Sequence, residues 1–138
     1  MACISAQVAG AVSGVELAHA MFGESLLQIS THARTGPGQW FAEAVATLGL
    51  GLTILGCLAR TPAAIPYAAG LYITAAYWFT ASTSFANPAV TVARALSDTF
   101  AGIAPTDVLA FILAQLVGMA GAVALAGWLW PEPSRRAD

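Results

Sequence analysis

Four apolar runs, separated by short polar breaks, divide this chain. Residues 4–22, 40–58, 64–79 and 106–130 are nearly free of charge. Each reads as a helix crossing a bilayer, for which ~20 apolar residues suffice. Between the third and fourth runs lies a polar stretch, Thr80-Ala81-Ser82-Thr83-Ser84-Phe85-Ala86, that leads into Asn87-Pro88-Ala89. Asn87 suits a helix N-cap, because its side-chain oxygen can accept from a free N–H of the first turn. Pro88 then falls at the first helical position, where its missing donor costs nothing. The pattern predicts a short helix over residues 87–97, which at ~1.5 Å per residue covers roughly half a bilayer. A polar loop running into a half-helix at membrane depth is tolerated only when it is buried in protein or lines a water-filled cavity. The predicted fold is therefore an all-α membrane protein, with four transmembrane helices plus one re-entrant half-helix.

Within this frame, Gly10 and Gly14 form a small-xxx-small pair that predicts a close helix crossing. Glu16 and His19 share the first span at a spacing that would let them pair, and ionisable groups inside a span are functional candidates. Gly36-Pro37-Gly38 reads as a breaker before the second span, and Trp40 as an interfacial anchor. Glu43 lies just inside that span. Thr106-Asp107 suggests an N-cap for the last span, Trp128 and Trp130 its exit belt, and residues 132–138 a polar tail. With a cytoplasmic start, the Arg60 loop and Arg135-Arg136 fall on the cytoplasmic side, which satisfies the positive-inside rule. The start lacks a positive n-region, so a cleaved leader is not expected.

Composition narrows the function class. The 138 residues are 58% hydrophobic and 9% charged, against ~25% charged in a soluble domain. Mean hydropathy is +0.73. All five basic residues are arginines, and none forms a patch suited to nucleic acid. Cys3 and Cys57 have no metal-ligand spacing, so no metal or other cofactor is expected. Ser13 and His19 sit on roughly opposite faces of one span, and no Gly-x-Ser-x-Gly elbow is present, which argues against an enzyme.

Tyr77-Trp78-Phe79-Thr80, Ser84-Phe85 and Asn87-Pro88-Ala89 together resemble the second Asn-Pro-Ala box of the major intrinsic protein family, the aquaporins and aquaglyceroporins. An internal echo fits the resemblance: Ile4-Ser5-Ala6-Gln7-Val8-Ala9-Gly10 against Ile112-Leu113-Ala114-Gln115-Leu116-Val117-Gly118. Corresponding helices of two inverted repeats would look like this. The resemblance covers only the second half of a usual family member. It implies that the first span ends repeat one and that the other three form the complete second inverted repeat. Two helices and a first Asn-Pro-Ala box then have no counterpart here.

The resemblance also implies site roles. Asn87, Pro88 and Ala89 would form the pore box, with the Asn87 amide donating to a passing solute. Glu43 would brace the re-entrant loop by accepting from its backbone N–H groups. Val90 stands where the family usually has arginine, and Ser84 and Ala75 complete the candidate filter; Arg94 is not assumed to substitute. Such a filter is wide and weakly polar. It points to a passive channel for water and small uncharged solutes, such as glycerol or arsenous acid, in a lipid bilayer. A multi-pass bacterial inner-membrane protein and a homotetramer are implied as well. The alternative is a non-conducting membrane fragment with at most a structural or subunit-association role.

Overall fold

The structure is a computed structural model that describes residues 2–131; the predicted polar tail and its arginines lie outside the described residues. Five α-helices follow one another: α1 (Ala2–Phe22), α2 (Pro37–Arg60), α3 (Ile65–Phe79), α4 (Pro88–Arg94) and α5 (Val108–Leu129). Single 3₁₀ turns at Pro62–Ala64 and Pro105–Asp107 lead into α3 and α5. No strand occurs among the described residues. Two helical segments, Pro37–Arg60 and Pro105–Leu129, are long and apolar enough to cross a membrane. At ~1.5 Å per residue, the 15 residues of α3 reach only ~22 Å, short of a ~30 Å hydrocarbon core. The apolar run of α1 is interrupted by Gln7, Glu16 and His19.

Helix α2 begins three residues before the predicted start at residue 40. Gly36, at φ 111°, makes the turn, and Pro37 takes the first helical position instead of breaking the helix. Helix α4 ends at Arg94, short of the predicted residue 97, because Ala95 and Leu96 turn back onto Val92 and Ala93 carbonyls. Asp107 occupies the cap position of α5 but makes no capping bond. Its carboxylate instead accepts from the Arg34 N–H at 2.7 Å.

The largest helix contact is α2 against α5, with α3 on α2 and α1 on α4. The α2–α5 seam closes through small residues. A Cβ on Gly118 would strike the Ala44 carbonyl oxygen and lie 3.1 Å from the Leu48 nitrogen, and one on Gly51 would lie 2.6 Å from the Ala122 Cβ. Trp130 folds back over Gly56, leaving Trp128 exposed at the helix exit. The crossing predicted at Gly10 and Gly14 is not formed: nothing lies within 4 Å of a Cβ built on either. Helix α1 is held instead by its last turns, where His19 is its one buried residue.

Candidate functional site

The chain from Thr80 to Asn87 carries three non-glycine residues in left-handed backbone: Thr83 (φ 58°), Ser84 (φ 48°) and Ala86 (φ 49°). Each such residue costs on the order of 1–3 kcal/mol, and a β-branched threonine tolerates it poorly. The conformation turns consecutive N–H groups inward, where they need acceptors. Glu43, fully buried on α2, supplies them. Its Oε1 accepts from Ala86 N at 2.5 Å and its Oε2 from Phe85 N at 3.2 Å. Gln115 on α5 donates through Nε2 to Glu43 Oε1 and to Thr91 Oγ1, both at 2.8 Å. One buried carboxylate thus joins α2, α5, the loop and α4.

Asn87 takes extended backbone at the start of α4 and caps it, its Oδ1 accepting from Ala89 N at 2.8 Å. The Asn87 carbonyl accepts from Thr91 N and Oγ1. The Asn87 Nδ2 donors carry no hydrogen bond among the described residues. Pro88 is exposed at the tip and Ala89 is buried behind it.

The candidate filter residues are not brought together. Val90 lines a cleft of about 620 Å³ between α1 and α4, along with Ala18, His19, Ala93, Arg94 and Ser97. Ser84 is buried away from this cleft, with its hydroxyl unpaired and its N–H donating to Ser82 Oγ. Ala75 is exposed on α3 and also outside the cleft. Glu16 is exposed and does not pair with His19. The His19 Nδ1 lies 3.2 Å from the Leu26 carbonyl, an acceptor only, so in the neutral ring Nδ1 holds the proton. Nε2, 3.0 Å from Ser97 Oγ, then accepts from that hydroxyl. This bond ties the end of α1 to the segment after α4.

Arg34 is a residue whose part sequence reasoning missed. From the α1–α2 connection it donates Nε to Gly102 O at 2.6 Å, Nη1 to Ser82 O at 3.0 Å and Nη2 to Phe100 O at 2.6 Å. Its Cζ lies 5.1 Å from the centroid of the Phe85 ring, which also packs on Phe111. Burial first, and Arg94 second, hold the Arg34 guanidinium below its ordinary pKa. A lone arginine in a connecting loop gives no sequence signal for three carbonyl partners that lie 48 to 68 residues away. On the rim, the Asp98 carboxylate accepts from Thr31 N (2.7 Å) and Oγ1 (2.9 Å), bonds that hold its pKa below the usual value.

The chain is 53% identical over 134 residues, 97% of its length, to aquaglyceroporin AqpS of Rhizobium meliloti strain 1021. It spans 57% of that relative's length. No family model and no solved structure matches it. Identity of that depth, running through nearly the whole sequence and joined to an all-helical fold with two membrane-capable helices among the described residues, makes this chain similar to more than half of a member of the major intrinsic protein family.

Proposed function

We propose that the chain is part of a passive membrane channel for water and small uncharged solutes. Four of its apolar segments would cross the bilayer, and α4 would dip in from the outer face with Asn87 at its tip. The observation that carries this reading is the loop that Glu43 holds and that ends in Asn87. A buried carboxylate holds the strained loop, and the loop presents an amide whose Nδ2 donors are unclaimed. Such an amide can donate to the oxygen of a passing water or hydroxyl, while the positive end of a helix disfavours cations there. Val90 in place of a guanidinium leaves that stretch of the cleft wall apolar and open. That suits glycerol-like solutes and metalloid hydroxides such as arsenous acid. No bond is made or broken in this function, so no catalytic residue is assigned. A multi-pass setting in a bacterial inner membrane and a homotetramer belong to the same proposal.

A second reading is favoured by one feature: α1 is exposed along nearly its whole length. On that reading it is a non-conducting membrane fragment with a structural or subunit-association role. Stopped-flow swelling of proteoliposomes in glycerol and arsenous acid gradients separates the two. Flux above empty vesicles, lowered by Val90→Arg, supports the channel. Flux equal to empty vesicles rejects conduction by this chain.

A further inference from the structure

The cleft between α1 and α4 holds a positive charge that no carboxylate pairs with directly among the described residues, although the Glu43 charge acts on it from a distance. Arg94 stands in its wall, one helical turn beyond Val90. Its Cζ lies 4.3 Å from the centroid of the Phe85 ring. Its side chain makes no hydrogen bond or ion pair among the described residues, and Nη1 is enclosed without an acceptor. Arg34 presses on the same ring, but its Nε, Nη1 and Nη2 are committed to carbonyl groups. The neighbouring carboxylates are turned elsewhere. Glu43 receives the loop N–H groups and Gln115, Asp98 receives Thr31, and Asp107 receives the Arg34 backbone. Glu24 also lines the cleft, yet makes no pair with Arg94.

Two guanidinium groups on one ring exceed the single Glu43 carboxylate that acts on both, and this leaves a local excess of positive charge that disfavours cations and draws in anions. The planar fork of an arginine matches a carboxylate or a similar planar oxyanion. We infer that the cleft is a binding site for a small monovalent oxyanion, held by Arg94 against the apolar wall of Val90, Ala93 and Ala18. The hydroxyls of Ser97 and Thr99 stand in the same wall. The site does not depend on conduction, because an anion can occupy the cleft whether or not solutes pass it.

The test uses the intact chain in phosphatidylcholine vesicles. Arginines are labelled with p-hydroxyphenylglyoxal, and each position is read by peptide mass spectrometry, with exposed Arg60 as the reference. Sodium formate is compared with formamide, its neutral isostere, and with a bulky sulfonate salt at equal ionic strength. At roughly ten times its dissociation constant, formate should slow Arg94 labelling about tenfold, since protection grows as 1 + [L]/Kd. Arg60 should not change. Thermal unfolding gives a second readout: formate should raise the midpoint of the wild type and of Arg94→Lys, but not of Arg94→Gln. Equal protection by formamide, no protection by formate, or a formate shift preserved in Arg94→Gln would each overturn the assignment. None of these measurements needs flux, so a failed swelling assay leaves the anion site standing, and flux without protection removes the site alone.

Discussion

Replacing Glu43 removes the acceptor on which the strained loop depends, and the cost can be worked from the bonds it makes. In Glu43→Ala, the Phe85 and Ala86 N–H groups lose their partners inside the protein, where each orphaned donor costs about 1–3 kcal/mol. Gln115 keeps Thr91, so its loss is smaller. The expected destabilisation is about 2–6 kcal/mol, before any relaxation of the three left-handed residues. Glu43→Gln keeps one acceptor oxygen but sets an NH₂ against the other backbone donor. It should therefore lose about half as much, roughly 1–3 kcal/mol, or about 5- to 150-fold in the folded ratio. Reversible unfolding in mixed micelles measures the totals. Hydrogen exchange at the Phe85 and Ala86 amides measures the local effect, which should be a marked loss of protection at both in Glu43→Ala and at one of them in Glu43→Gln. Wild-type stability in Glu43→Ala, with Phe85 and Ala86 still protected, would refute the account.

Three further outcomes follow from the geometry. Gly118→Ala should open the α2–α5 seam and cost on the order of 1–3 kcal/mol, because its Cβ meets the Ala44 backbone. Gly127→Ala meets nothing within 4 Å, so it should instead gain up to about 1 kcal/mol of helix propensity; unfolding curves for the pair should separate in sign. Asp98 has a lowered folded pKa, so its bonds to Thr31 stabilise the protein above the unfolded value, near 3.8, and are lost as pH falls through the folded value. Asp98→Asn should therefore be less stable than wild type at neutral pH, with the gap closing in acid when melting temperatures are compared. Arg34→Lys cannot reach three carbonyls with one ammonium, so limited proteolysis should cut the segments around Ser82 and Phe100 faster than in wild type.

How far the sequence foretold all this depended on the range of the interactions. The apolar runs announced α2 and α5, and Asn87-Pro88 announced the start of α4, because capping is chemistry between near neighbours. The end of α4 was overestimated: propensity let the helix continue where the chain turns back at Ala95. Gly36-Pro37-Gly38 looked like an interruption because proline breaks a helix interior, whereas here Pro37 opens one. Ala75 could not be placed from its own neighbourhood, since packing decides that α3 lies against α2 and contributes no residue to the cleft. Arg34 and the His19–Ser97 bond were illegible for the same reason: their partners lie far along the chain.

The hold that Arg34 exerts has a practical bearing. The segment between α1 and α2 would ordinarily be chosen for an epitope tag or a protease site, as an outlying stretch that accepts insertions. Here it carries the bolt that fastens two other backbone segments, the one before α4 and the one after it. An insertion that shifts Arg34 by even one side chain's reach would release Phe85 from one of its two cationic neighbours. Tagging, splitting or grafting this chain is better done at the Arg60–Thr61 bend, which touches none of them.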